Sequence, residues 1–172
     1  ARQMARLHSF TPPEVQHVEQ SEPWCWATAR TWLAGALSAE SSAEVQSSGD
    51  IAGRVAALDL ECVANQAGRL EESIAGCRLP LCFAHNDLSN TNVHLDPDTG
   101  IARLIDFEYG GMNYRGFDLA THFSHWAGGA VDGHYKDELF PTPTEQRAFL
   151  ETYAEEAAAL GRIASSVTEL QT

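Results

Sequence analysis

"FAHNDLSNTNVHLDPDTGIARLIDFEYGG", residues 83–111, decides how the rest of the chain is read. Two short apolar runs surround Asp-Pro-Asp-Thr-Gly (96–100). Asp and Gly there are turn formers, so the segment predicts a β-hairpin. Polar residues gather at its two ends: His85, Asn86, Asp87 and Asn92 before it, Asp106 and Glu108 after it. A hairpin brings its ends together, so Asp87, Asn92 and Asp106 are expected to converge, with Asp106 ending the second strand. Asn and Asp oxygens are hard ligands suited to Mg²⁺. A carboxylate shortly before such an Asn is placed to orient a hydroxyl and take its proton late in a phosphoryl transfer. The plainer reading is that these residues merely serve turns. The coincidence of all three at one hairpin favours chemistry.

Outward from this centre the pattern is helical. "LPLCFAH" (79–85) reads as a short buried strand. Residues 1–10 read as a helix end, with Met4, Leu7 and His8 on one side. In "SEPWCWATARTWLAGAL", Ser21 is the expected N-cap and Pro23 lies in the first turn, with Trp24, Thr28, Trp32 and Ala36 at helical spacing. The Ser-rich segment 38–50 reads as a loop. From Asp50 to about Cys77, apolar positions Ile51, Val55, Leu58, Cys62, Leu70 and Ile74 predict one amphipathic helix ending near Gly76. "GFDLATHFSHWAG" predicts another helix. Thr144 is expected to cap a last one running to about Leu160, with Phe149, Tyr153 and Ala157 on one stripe. There is no internal repeat.

The chain has 172 residues, enough for a core, and its 44% apolar and 20% charged content is ordinary for a globular protein. No apolar run is long enough for a membrane span. The opening "ARQMARLHSF" is too short and polar to be expected as a secretory signal. Cys25, Cys62, Cys77 and Cys82 form no CxxC pair and read as reduced, mostly buried thiols of a cytoplasmic protein. The net charge of −13 argues against non-specific nucleic-acid binding, and an anionic substrate would need a divalent cation as escort. The cations are ten Arg and a single Lys, Lys136.

With these residues in view, a family resemblance emerges. "HNDLSNTN" resembles the HxDxxxxN catalytic loop of kinase-like phosphotransferases, a pattern shared with aminoglycoside phosphotransferases. "LIDFEYGGMNYRGFDLATHFSHW" (104–126) resembles the longer and more specific signature of the choline/ethanolamine kinase family, roughly "IDFEYxxxNxxxFDxxxHFxEW". The flanking "ARQMARLH" and "FPTPTEQRAFLETYAEE" are similar more loosely. The resemblance implies an α+β fold: a protein-kinase-like C-terminal lobe, mainly helical, with a small antiparallel hairpin carrying the catalytic and metal-binding loops. It implies Asp87 as catalytic base, Asn92 and Asp106 as Mg²⁺ ligands, and His85 and Asp118 as supports of the catalytic loop. Glu108, Tyr109, His125 and Trp126 fall at positions near the substrate. Arg115 either pairs with nearby acids or is a plain surface residue. Trp126 either faces an ammonium or packs in the core.

The implied activity is ATP-dependent phosphorylation of the hydroxyl of choline or ethanolamine, the first step of phosphatidylcholine or phosphatidylethanolamine synthesis. A homodimer of the full-length protein is compatible with it. One departure is that His125 stands where the family pattern has Glu, removing a carboxylate that would attract an amine. No GxG loop or lysine precedes Asp87, so residues 1–172 are expected to be the C-terminal catalytic lobe, without the N-terminal ATP-binding lobe or the final helices. A phosphotransferase acting on another small alcohol, such as an aminoglycoside, is the alternative enzyme. A non-catalytic kinase-like binding fragment is the alternative of another class. Asp118, His122 and His125, at i, i+4 and i+7 of one helix, also offer a zinc face. His8, His17, His94 and His134 show no partner pattern and are read as incidental.

Overall fold

A single 3-10 turn, Asn90–Asn92, leads into the hairpin. In a computed structural model the protein is described at residues 1–161, except 16, 41, 48, 78 and 129–134. His134 lies outside the described residues. In chain order the elements are α1 (Arg2–Ser9), α2 (Trp24–Glu40), α3 (Ala43–Ser47), α4 (Gly49–Ala56), α5 (Leu60–Ala75), β1 (Leu81–Ala84), β2 (Val93–Leu95), β3 (Ala102–Leu104), β4 (Gly111–Tyr114), α6 (Arg115–Trp126) and α7 (Pro143–Ala159). The chain divides into two compact units: residues 1–21 with 80 onward, and residues 22–79.

In the first unit the expected hairpin is present. β2 and β3 pair antiparallel, Val93 opposite Leu104 and Leu95 opposite Ala102. Asp96 makes the turn: its Oδ1 accepts the Asp98 and Thr99 amides at 3.1 and 2.9 Å. Those bonds, chiefly with Thr99, hold its carboxyl below the usual range. Gly100 follows at φ +67°, a left-handed position that glycine takes without a Cβ penalty. The second strand is shorter than expected and stops at Leu104, so Asp106 lies beyond the ladder.

β1 is the predicted strand, and its partner is β4, with Leu81 opposite Tyr114 and Ala84 opposite Gly111. "GMNY" carries no clear strand period, so periodicity did not reveal it. β4 runs directly into α6. Between Phe107 and β4 the chain turns tightly at Gly110, where an added Cβ would lie 3.0 Å from both the Phe107 carbonyl and the Phe83 ring.

The core of this unit is Met4, Ala5, Leu88, Leu119, Tyr153 and Ala157, flanked by Val93, Leu104, Phe149 and Leu150. Each large side chain enclosed there contributes about 1.5–3 kcal/mol. It joins α1, α6 and α7 to Leu88, one residue after Asp87. The cap of α7 lies two residues before the expected one. Thr142, not Thr144, is its N-cap: the Thr142 hydroxyl accepts from the Glu145 amide, and the Glu145 carboxylate accepts from the Thr142 amide and hydroxyl. Pro143 at the first helical position suits this register, because its missing N–H would be unbonded there anyway.

The second unit, α2 to α5, has no buried residue on α2 or α5. Arg30 of α2 donates to both Glu71 oxygens of α5 at 2.7 and 2.9 Å, and also pairs with Glu22. Three sequence-based expectations change here. Ser21 does not cap α2; its hydroxyl donates to the His17 carbonyl at 3.5 Å. The segment 38–50 is not a loop: α2 runs to Glu40, and Ser42 accepts the Val45 amide as a new helix, α3, starts. Serine served as a cap between good helix formers. The helix expected from Asp50 to Cys77 is two helices. Asp59, at φ 45°, breaks the chain and caps α5 by accepting the Cys62 amide. No two of the cysteines are joined in a disulfide, but only Cys82 is buried; Cys62 and Cys77 are exposed and Cys25 is intermediate. Their apolar neighbours lie on helix faces that stay open.

Candidate active site

The loop from His85 to Asn92 is held from three sides. Asp118, fully buried on α6, accepts the His85 amide on Oδ2 at 2.7 Å and the Asn86 amide on Oδ1 at 2.8 Å. His85, also fully buried, donates from Nε2 to the Ile105 carbonyl at 2.8 Å. That bond ties the loop to the backbone just before Asp106. Its ring packs on Phe107 with centroids 4.6 Å apart. Asn86 adopts φ 67°, a left-handed conformation that Asn tolerates better than most side chains. It is fixed there by donating to the Tyr109 carbonyl at 2.8 Å and by accepting from the Asn113 amide at 2.7 Å.

Within this frame Asp87 and Asn92 are in contact. Asn92 Nδ2 donates to the Asp87 carboxylate and to its carbonyl, both at 2.9 Å. With its nitrogen so engaged, Asn92 presents its Oδ1 as the atom free to ligate. The Asn92 carbonyl in turn accepts the Ile105 amide at 3.1 Å, which brings Asp106 beside it. Asp106 is exposed and sits at φ 63°. A non-glycine residue in that region is a local strain, of a kind that clusters at functional sites. Asp87, Asn92 and Asp106 thus lie on one patch formed by the loop and the end of the hairpin. An amide oxygen and a carboxylate form a hard-oxygen pair that fits Mg²⁺, which keeps waters and takes few protein ligands.

The other predicted positions separate from this patch. Glu108 is exposed in the turn after Asp106. Tyr109 joins the loop through its carbonyl and is 38% exposed as a residue. His125 and Trp126 stand at the far end of α6, where Trp126 joins an aromatic group with His122, Phe123 and Phe149. His122 Nδ1 donates weakly to the Leu88 carbonyl at 3.4 Å, and Trp126 Nε1 donates to His122 Nε2 at 3.4 Å, so the ring is a neutral Nδ1–H tautomer. Burial holds its pKa below the ordinary 6.5, and the nearby His125 adds to that. His125 Nδ1 is buried without a hydrogen-bond partner among the described residues. Trp126 remains 40% exposed.

The zinc face does not form. Asp118 is spent on the loop amides, and among the described residues no three His, Cys, Asp or Glu side chains are placed to hold a metal. Arg115 makes no ion pair among the described residues. Its charge lies near Cys82 and Tyr153, whose pKa values burial raises, that of the Cys82 thiol to about 12.

Three residues in this frame were not anticipated. The sequence reading gave Asn86 and Asn113 no role of their own, although Asn113 falls on the Asn of the quoted signature. His8, read as incidental, is bonded to Asp118 at 3.0 Å and to Tyr153 at 2.8 Å. A lone His on an amphipathic helix carries no sequence signal for that.

Comparison with known proteins now adds identity. The family model described as choline/ethanolamine kinase matches residues 1–171. A Dictyostelium discoideum protein named probable ethanolamine kinase A is 30% identical over 157 residues, covering 89% of this chain and 40% of that protein. An Arabidopsis thaliana protein named probable choline kinase 1 is 32% identical over 156 residues, covering 89% of this chain and 41% of its own length. The chain thus spans about two fifths of the curated relatives it matches over such lengths. Among solved structures, an ethanolamine kinase from Plasmodium vivax superposes with a TM-score of 0.72 at 19% identity, over 94% of this chain and 45% of that one. That likeness establishes a kinase-like fold, mainly helical with small antiparallel sheets.

Proposed function

The chain belongs to the choline/ethanolamine kinase family, and on that footing we propose that the protein transfers the γ-phosphoryl group of ATP to the hydroxyl of ethanolamine or choline. This chain supplies the catalytic and metal-binding loops of the C-terminal lobe. The observation that carries the reading is the contact of Asn92 with Asp87 on a loop whose backbone Asp118 grips. Asn92 steadies one carboxylate oxygen of Asp87 and leaves the other to accept from an alcohol. As the alcohol oxygen bonds to phosphorus and the bond to the bridging oxygen of ADP breaks, Asp87 takes the hydroxyl proton. Asn92 Oδ1 and the Asp106 carboxylate are the residues that would hold Mg²⁺, whose positive charge offsets that of the phosphate oxygens when bound. Such a cation also answers the net charge of −13, which opposes a bare nucleotide.

The relatives are named for choline and ethanolamine, so an aminoglycoside acceptor or a non-catalytic scaffold gains no support from them. A direct test follows ADP release by the full-length protein with ATP and Mg²⁺, offering ethanolamine, choline and an aminoglycoside in parallel. The reading expects release with one or both amino alcohols and none above background with the aminoglycoside. The reverse pattern would replace the acceptor class.

A further inference from the structure

His8 carries contacts that the reaction proposed above does not use. Its side chain is 3% exposed, and both ring nitrogens have partners. Nε2 donates to Asp118 Oδ2 at 3.0 Å, while Nδ1 lies 2.8 Å from the Tyr153 hydroxyl. The His8 and Tyr153 rings meet edge-on with centroids 5.6 Å apart. Because a carboxylate accepts only, Nε2 carries the hydrogen. In the neutral ring Nδ1 then accepts the phenolic proton. A continuous chain results: Tyr153 O–H to His8, His8 N–H to Asp118, and the Asp118 oxygens to the amides of His85 and Asn86.

We infer that His8 and Tyr153 are positioning residues for the phosphoryl transfer: they hold Asp118 in the rotamer that grips the His85 and Asn86 amides, and so set the backbone that carries Asp87. The inference rests on the reaction proposed above, but its structural half can be read without activity. Asp118 is wholly buried, and a buried carboxylate needs its oxygens bonded. Among the described residues Oδ1 has the Asn86 amide alone, and Oδ2 takes both the His85 amide and His8. Removing the imidazole leaves Oδ2 one donor short, and the carboxylate is free to turn. The loop it releases is not relaxed, since Asn86 is held at φ 67°. Such conformations persist only where the surroundings over-determine them. The chain also explains why residues separated by 110 and 145 positions matter to one loop. α1 and α7 pack on each other in the core, and this polar thread passes their placement on to Asp87.

The test uses the full-length protein with His8→Leu, His8→Gln and Tyr153→Phe. Amide hydrogen exchange at His85 and Asn86 is read against the β2–β3 hairpin amides, alongside kcat and KM. His8→Leu is expected to speed exchange at the two amides about 10- to 100-fold, with the hairpin amides changed less than about threefold. Turnover should fall by a similar factor while the KM for ATP stays within about threefold. His8→Gln, whose amide N–H can reach Asp118, should recover most of both effects. Tyr153→Phe should show the same pattern more weakly. Uniform acceleration of all amides, or no change at His85 and Asn86, would overturn the positioning role. Selective exchange with unchanged kcat would overturn its link to the reaction. Absence of phosphoryl transfer in the wild type would count against the proposed function and leave the exchange result to decide the clamp. If His8→Leu does not fold, His8→Gln and Tyr153→Phe decide it: wild-type exchange at both amides in Tyr153→Phe would sink the inference.

Discussion

At the scale of single residues, the site is a division of labour among oxygens. Asp118 spends both of its oxygens on backbone amides, so it is structural. Asp87 spends one on Asn92, and the proposed function gives the other to an alcohol. Asp106 is exposed, and the proposed function gives its carboxylate to a cation. Replacing Asp106 by Asn should therefore raise the Mg²⁺ concentration needed for half-maximal rate by about tenfold or more, while the KM for the amine changes much less. Titrating rate against Mg²⁺ checks it, and an unchanged midpoint would place the metal elsewhere. His125 concerns the acceptor. Its Nδ1 is buried without a partner among the described residues. It also occupies the position where the resembling signature has Glu. Restoring the carboxylate in His125→Glu should lower the KM for choline or ethanolamine by roughly 0.5–2 kcal/mol, less so at high salt. An uncharged alcohol of similar size should not share the gain. Equal shifts for charged and neutral alcohols would remove His125 from the amine site. Asp87, Asn92 and Asp106 were legible as a group because their spacing straddles a turn. Asn86, Asn113 and His8 were not, because each acts through a buried contact made only after the chain has folded.

At the scale of elements, local chemistry explains both what was legible and what was not. The β2–β3 hairpin could be read because Asp96 and Gly100 are turn residues bracketed by apolar pairs. β4 could not, because its partner β1 lies some thirty residues away and "GMNY" lacks a period of its own. The break at Asp59 was hidden, since the apolar steps of α4 and α5 happen to stay in phase across it. Helix ends were read least well: the Ser and Thr residues near 42 and 142 were present, but choosing among neighbouring hydroxyls needs the bonds themselves. The cap of α7 is testable. Thr142→Ala should destabilise the protein by about 1 kcal/mol, whereas Thr144→Ala should stay within about 0.5 kcal/mol. Urea midpoints of the two variants decide it; equal losses would mean that the capping box contributes nothing.

At the scale of the whole molecule, stability and activity both depend on protons held away from water. Burial lowers the pKa of His122 from 6.5. As pH falls below that value the unfolded chain binds the proton first, so the contribution is complete above it and is lost on the way down to the folded value. Stability should thus begin to decline as the pH falls through about 6.5, above most carboxylate titration, and the decline should be shallower in His122→Gln. Identical slopes would contradict the assignment to His122. The central claim is that Asp87, steadied by Asn92 on a loop gripped by Asp118, takes the proton from the acceptor hydroxyl. The measurement that tests it most directly is phosphoryl transfer from ATP to ethanolamine by full-length Asp87→Ala, with nucleotide binding measured on the same sample. Turnover should fall by about 10²–10⁴ while ATP affinity stays within about threefold. Retention of more than about a tenth of wild-type turnover would contradict the account, since loss of a general base costs more than that.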